Sequence, residues 1–171
     1  MSILLIGYRG SGKSTIGRRL ADRLWQSFVD TDELIVRKAG KSISEIWESS
    51  GEAHFRDLES DVLREACHLD DHVIALGGGA VLREENRKSI RSGTNKVIYL
   101  RCDPSVLHAR IQGDASTAHS RPALTTAGGG LEEIVATLKA REPIYREVMT
   151  CELEVTHLSV DDAVVHIVKM L

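Results

Sequence analysis

The chain has 171 residues, 42% hydrophobic and 27% charged, which bounds it to one domain (1–171) with room for one substantial core. A net charge of −3 and only 4% aromatic residues argue against a nucleic-acid partner, which would need a basic face and stacking platforms. Cys67, Cys102 and Cys151 are widely spaced and form no C-x-x-C pair, pointing to reduced thiols in the cytoplasm. No apolar run has the length of a membrane helix, and the apolar start is too short for a signal segment, so neither a membrane partner nor a presequence is expected.

In chain order, Ile3–Ile6 reads as a short buried parallel strand. The stretch from Gly7 to Ser14 follows it and has the form G-x-x-x-x-G-K-S, and beyond it Ile16, Leu20 and Leu24 recur at helical spacing. Strand, glycine loop and helix N-terminus in that order make an anion site, with backbone N–H groups and the positive end of the helix dipole facing phosphates. Gly10, Ser11, Gly12, Lys13, Ser14 and Thr15 are therefore the candidate nucleotide-binding residues. Lys13 is placed to reach the β- and γ-phosphates and Ser14 to ligate Mg²⁺, while Thr15 caps or packs.

Phe28-Val29 reads as a second strand, and Asp30-Thr31-Asp32 stands at its exit. Ligands of open α/β sheets bind at that edge. One carboxylate can hold the water shell of a metal while the other accepts a proton from an acceptor hydroxyl; alternatively the pair forms a solvated turn with a helix cap. Phe55, Leu58, Val62 and Ala66 share one helical face. On the same helix Arg56 and Glu59 stand at i and i+3, either as a surface ion pair or with Glu59 orienting Arg56 toward an anionic substrate. Trp47 and Phe55 are read both as pocket wall and as core.

Val73–Leu76 reads as a third strand running into Gly77-Gly78-Gly79, where the lack of side chains lets the backbone approach a ligand; the alternative is a flexible turn. Val97–Leu100 is a fourth strand, and Asp103-Pro104 opens a helix as N-cap and N1. The polar segment Gln112–Ser120, ending at Arg121-Pro122, is read as part of a mobile lid spanning about 111–124, against the alternative of an ordinary surface loop. For the second triple glycine, Gly128–Gly130, a plain turn is preferred. An amphipathic stretch Leu131–Val148 carries Arg141 just before Pro143, Leu153–Val155 is a fifth strand, and Ser159 with Asp162 has the form of a capping box before a helix Val160–Leu171. Strands alternating with helices imply a parallel sheet covered on both faces.

Taken together the motifs resemble the shikimate kinase family. The resemblance rests on G-Y-R-G-S-G-K-S-T at 7–15, F-V-D-T-D-E-L-I at 28–35, S-I-S-E-I-W-E-S-S-G-E-A-H-F-R-D-L-E at 42–59, I-A-L-G-G-G-A-V at 74–81, R-P-A-L at 121–124 and R-E-P-I-Y-R-E at 141–147. It implies an α/β three-layer P-loop kinase fold with a five-stranded parallel sheet of order 2-3-1-4-5, helices on both faces and a lid. It also implies Mg²⁺-dependent transfer of a phosphoryl group from ATP to the 3-hydroxyl of shikimate, within aromatic amino-acid biosynthesis. No large apolar stripe in the sequence demands a partner, so a monomer is expected. By matching position, Lys13 and Ser14 would hold phosphate and Mg²⁺, with Asp30 near the metal. Asp32 would contact the acceptor hydroxyls as candidate base, within an acceptor-binding region of about 32–61. Arg56 and Arg141 would bind the acceptor carboxylate, and Gly78 and Gly79 would line its pocket. Arg121 would close over the phosphates, and Arg110 and the loop after Val155 would lie near the adenine. The chain departs from the family pattern in a longer lid between Arg110 and Arg121, in Trp47 for a usual Phe, in Met149 for a small residue, and in Ala75-Leu76 before the glycines. The readings set against this one are a small P-loop kinase for gluconate or a nucleoside monophosphate, and a catalytically dead binding module. The second should have lost Lys13, Asp32 or Arg121, all of which are present.

Overall fold

The computed structural model of the chain describes residues 1–113 and 130–171. In chain order the elements are β1 (Ile3–Ile6), α1 (Lys13–Leu24), β2 (Ser27–Asp30), α2 (Thr31–Ala39), α3 (Ile43–Cys67), β3 (His72–Ala75), α4 (Glu84–Arg91), β4 (Lys96–Arg101), α5 (Pro104–Gly113), α6 (Leu131–Val148), β5 (Cys151–Glu154) and α7 (Val160–Met170). The five strands form one parallel sheet in the order β2-β3-β1-β4-β5, as the family resemblance implied.

β1 lies at the centre, with Ile3 in register with Val73 on one side and Lys96 on the other. Its four residues are all buried because helices cover both faces, which is why it reads as an unbroken apolar run. Alternate side chains serve two cores. Ile3 and Leu5 join Ile16 and Leu20 of α1, Leu107 of α5 and Ile167 of α7. Leu4 and Ile6 join Leu63 of α3, Ile90 of α4 and Tyr145 of α6 on the opposite face. Helix α6 crosses between them: Ile134 and Leu138 enter the first core, Tyr145 and Val148 the second. Truncating any of the fully buried leucines or isoleucines would cost about 2–5 kcal/mol. A third cluster, with Ile35, Ile43, Phe55 and Val62, packs α2 on α3 to one side of the sheet.

Local signals explain most element boundaries. Asp103 caps α5 by accepting from the Ser105 backbone N–H at 2.8 Å, and Ser159 caps α7 by accepting from the Asp162 N–H at 3.1 Å, while the Ser159 hydroxyl meets the Asp162 carboxylate. A reciprocal capping box stands at the start of α3 between Ser42 and Glu45. Helix α3 is interrupted at Gly51, whose φ of 80° and ψ of 170° are non-helical and divide it into two segments. Ile111–Gly113, the start of the expected lid, continue α5; the rest of that segment, and Gly128 and Gly129, lie outside the described residues, while Gly130 caps α6. Among the described residues no helix is long and apolar enough to cross a membrane.

Candidate active site

The C-terminal ends of the strands open onto a cleft of about 1110 Å³ whose floor is the loop between β1 and α1. Gly7 has φ +148°, and a Cβ there would stand 2.7 Å from the Leu100 carbonyl oxygen, so no side chain fits where the loop leaves the sheet. Helix α1 begins with Gly12 as its N-cap at φ 91°, with no side-chain cap and no acidic residue in its first turn. Its first N–H groups thus face the cleft with no competing carboxylate from the same turn, the arrangement an anion requires. Lys13 clips the loop together, donating from Nζ to the Gly7 and Tyr8 carbonyls at 2.9 Å each. Gly10, Ser11, Ser14 and Thr15 line the same cleft. At its far end Arg110 donates to the Gly10 carbonyl at 3.3 Å, and Val155 and Leu158 supply apolar wall.

The three residues Asp30, Thr31 and Asp32 have three separate tasks. Asp30 Oδ1 accepts from the Asp32 backbone N–H at 3.0 Å and caps α2, so the capping alternative holds at this position. Its other oxygen, Oδ2, accepts from the Ser14 hydroxyl at 2.5 Å, bringing both candidate metal residues together at the mouth of α1. Thr31 is buried and ties β2 to β3: Oγ1 donates to the Ala75 carbonyl at 3.3 Å and accepts from the Gly77 N–H at 3.0 Å. Asp32 lines the cleft, and its Oδ1 lies 2.8 Å from where a Gly77 Cβ would stand.

A narrower pocket opens beside the cleft, lined by Trp47, Phe55, Arg56, Glu59, Gly78, Gly79 and Arg141. Arg56 is no surface residue. Its Nη1 donates to Glu59 Oε2 at 2.7 Å, and the two side chains are 11% and 2% exposed, which rules out the surface-pair reading. Burial pushes the Glu59 carboxyl above its ordinary value, while the adjacent Arg56 cation opposes that rise. The Arg56 guanidinium lies 5.3 Å from the Phe55 ring centroid and 6.0 Å from that of Trp47, and its nitrogens occupy the space a Gly79 side chain would need. Phe55 and Trp47 also belong to the α2–α3 cluster, so both readings of these rings hold.

Arg141 enters from α6. Its guanidinium lies 5.9 Å from the Tyr8 ring centroid, and its Nη1 donates to the Gly78 carbonyl at 3.3 Å. One turn further along α6, Tyr145 donates to that carbonyl at 2.7 Å, while its ring stacks on Tyr99 at 4.9 Å. The R-x-P-x-Y spacing that sets Arg141 and Tyr145 on one face was available in the sequence, but its meaning is visible only once Gly78 is beside them. The structure thus brings Lys13, Ser14, Asp30, Asp32, Arg56, Gly78, Gly79 and Arg141 to one edge of the sheet, with Arg110 at the far end of the cleft. Arg121 lies outside the described residues. Sequence reasoning assigned no part to Arg9, Thr31 or Tyr145.

Comparison with known proteins places the chain in one family. The family model described as shikimate kinase matches residues 9–171. A shikimate kinase of Rhodopirellula baltica is 41% identical over 167 residues, covering 98% of this chain and 88% of that protein. One of Symbiobacterium thermophilum is 40% identical over 171 residues, covering 100% of this chain and 96% of that one. Among solved structures, shikimate kinase from Acinetobacter baumannii in complex with shikimate superposes with a TM-score of 0.91 at 34% identity, covering 99% of this chain and 91% of that one.

Proposed function

The chain belongs to the shikimate kinase family, and on that premise we propose that it transfers the γ-phosphoryl group of ATP to the 3-hydroxyl of shikimate, yielding shikimate 3-phosphate and ADP in the route to the aromatic amino acids. The observation that carries the reading is the placement of two acceptor arginines, Arg56 and Arg141, around Gly78–Gly79 and next to Asp32, where the acceptor pocket meets the phosphate-binding cleft. Guanidinium forks suit a carboxylate, and an aspartate suits hydroxyls. A site built to hydrogen-bond hydroxyls discriminates by roughly 10⁴ or more against analogues lacking them.

The acceptor carboxylate binds between Arg56 and Arg141, with Glu59 fixing the Arg56 fork and Tyr8 backing Arg141. Its 3-hydroxyl then stands near Asp32 at the cleft boundary. The hydroxyl oxygen attacks the γ-phosphorus, the bond from phosphorus to the β,γ-bridging oxygen breaks, its electron pair leaves with ADP, and the hydroxyl proton passes to Asp32. Lys13 and the N–H groups of α1 neutralise the phosphate oxygens. The Ser14 hydroxyl and the Asp30 carboxylate, already in contact, are the hard oxygen donors that Mg²⁺ accepts alongside retained waters. When bound there with ATP, Mg²⁺ would supply charge neutralisation for the transferring phosphoryl group. Arg121 is assigned to the phosphates and Arg110 to the nucleotide by the family likeness. The free thiols Cys67, Cys102 and Cys151 support a cytoplasmic location, and the small-molecule chemistry needs neither nucleic acid, membrane nor a second subunit.

The test is ADP release from Mg²⁺-ATP with and without shikimate, with gluconate and AMP as control acceptors. Stimulation by shikimate alone is expected. Equal stimulation by gluconate or AMP, or none by shikimate while ATP still binds, would overturn the reading.

A further inference from the structure

Two segments on neighbouring strands meet at the acceptor end of the site: Asp30-Thr31-Asp32 leaving β2, and Gly77-Gly78-Gly79 leaving β3. The strands pair in parallel from Ser27 with His72 to Asp30 with Ala75, and there the ladder ends. Thr31 is the first residue of α2, so its carbonyl turns into the helix and is lost to the sheet. Its side chain takes over. Thr31 Oγ1 accepts from the Gly77 N–H at 3.0 Å and donates to the Ala75 carbonyl at 3.3 Å, and the residue is 1% exposed. Both flanks of this tie are fixed in turn. The Gly77 carbonyl accepts from the Ala80 N–H at 3.0 Å, and the Asp32 N–H donates to Asp30 Oδ1 at 3.0 Å. The fit is closest at Gly77, where a Cβ would stand 2.8 Å from Asp32 Oδ1 and 3.0 Å from Glu59 Oε1. The glycine backbone therefore passes against both the candidate base and the carboxylate that fixes Arg56, with no room for a methyl.

We propose that Thr31 is a positioning residue for phosphoryl transfer: its buried hydroxyl locks the start of α2 to Gly77 and so sets where the Asp32 carboxylate stands relative to the acceptor hydroxyl. The proposal rests on the kinase reading above and adds no step to it. The acceptor carboxylate depends on other ties. Arg56 is held by Glu59 within α3, and Arg141 and Tyr145 of α6 hold the Gly78 carbonyl. None of these bonds runs through Thr31. What runs through it is the distance from Asp32 to the glycine backbone. Displacing a reacting group by about 1 Å can cost about 100-fold in rate. Acceptor affinity, which on that reading the arginines carry, changes little. Loss of the hydroxyl thus acts on kcat rather than on either KM.

The experiment is steady-state kinetics of shikimate phosphorylation by the wild-type chain, Thr31→Val and Thr31→Ser, well below the melting temperature of each. Val keeps the branched shape and removes the hydroxyl; Ser keeps the hydroxyl and removes a buried methyl. Both should melt earlier, Val because the Gly77 N–H and Ala75 carbonyl lose their partner, Ser because it leaves a small cavity. Only Thr31→Val should lower kcat, by roughly 10- to 100-fold, with the KM values for shikimate and ATP each within about threefold. Thr31→Ser should keep kcat within about threefold of wild type. Turnover that follows the hydroxyl and not the melting temperature separates positioning from plain stability. If Thr31→Val does not fold, Thr31→Cys carries the comparison with Thr31→Ser. The two differ in one atom, and the thiol is the weaker donor and acceptor, so kcat should fall in the same direction by less. Near-normal kcat in the variant without the hydroxyl, equal losses in that variant and Thr31→Ser, or a shikimate KM that rises as far as kcat falls would overturn the role of Thr31. A wild-type chain whose ADP release shikimate does not stimulate would instead overturn the kinase reading and the proposal with it.

Discussion

The nucleotide cleft and the acceptor pocket are built on different principles. The floor of the first is made largely of backbone, from one contiguous stretch: glycines, the N–H groups of α1, and a lysine clipped to two carbonyls of its own loop. The second is made of side chains from separate segments, with Arg56 and Glu59 from α3, Arg141 and Tyr145 from α6, and Asp32 from α2, converging on a triple glycine that leaves them room. Backbone donors fit any polyphosphate. Side-chain forks at fixed angles fit one class of acid. On the proposed function, general chemistry resides in the contiguous motif and selectivity in the assembled one, and a substitution in either should leave the affinity of the other cleft nearly intact.

The largest expected effect is at the shared chemical step. Lys13→Ala should lower kcat by roughly 10²–10³-fold or more while shikimate binding, read by calorimetry, stays near wild type. Near-normal turnover would remove Lys13 from catalysis. Next comes Arg141→Ala, which should raise the shikimate KM by roughly 30- to 100-fold, about 2–3 kcal/mol, with the ATP KM within about twofold. Parallel rises in both KM values would break the division between the clefts. Tyr145→Phe removes one of two donors to the Gly78 carbonyl and should raise the shikimate KM by roughly fivefold, about 1 kcal/mol, leaving the ATP KM unchanged.

The smallest effect on activity is predicted for Cys67, at the end of α3 in the core remote from both clefts. Cys67→Ala should move neither KM. Burial pushes its thiol up to about 11 from an ordinary value of 9.0. A folded value above the unfolded one means that this stabilisation is fully present below pH 9.0 and is lost as pH rises through 11. Urea midpoints should therefore fall more steeply across that range for wild type than for Cys67→Ala; parallel curves would contradict the thiol shift.

Legibility in the sequence follows burial. Central β1, buried on both faces, matches its apolar run residue for residue. Edge strand β5 does not: Cys151 and Glu152 pair with Ile98 and Tyr99, yet only Leu153 of its four residues is buried, so the apolar signal covers only its end. At the other edge, β2 extends one residue beyond Phe28-Val29 on each side for the same reason. β3 runs from His72 to Ala75, one residue earlier than Val73–Leu76, because the apolar run continues into the loop where Leu76 is buried outside the ladder. Within the site, the placement of Lys13, Ser14 and Asp32 at the cleft was legible because each sits in a short motif that follows directly on a strand. Thr31 and Tyr145 were not, since their partners, Gly77 and Gly78, lie more than forty residues away in sequence. The Ser42–Glu45 capping box was present as S-I-S-E and passed over, whereas Gly51 gave no sign that its φ of 80° would divide α3.

The position of β1 in the sheet also bears on how the chain folds. The strand that carries the phosphate-binding loop precedes the other four strands in the chain, yet its neighbours are β3 and β4, with Ile3 in register with Val73 and Lys96. Such long-range parallel pairing closes large loops before it gains contacts, which slows folding. A nascent chain halted before β4 already carries the whole loop in its sequence and holds three of the five strands, but the β4 side of β1 is unpaired. Nucleotide binding should therefore appear late in synthesis, after Arg101 has emerged, and not when the loop itself does.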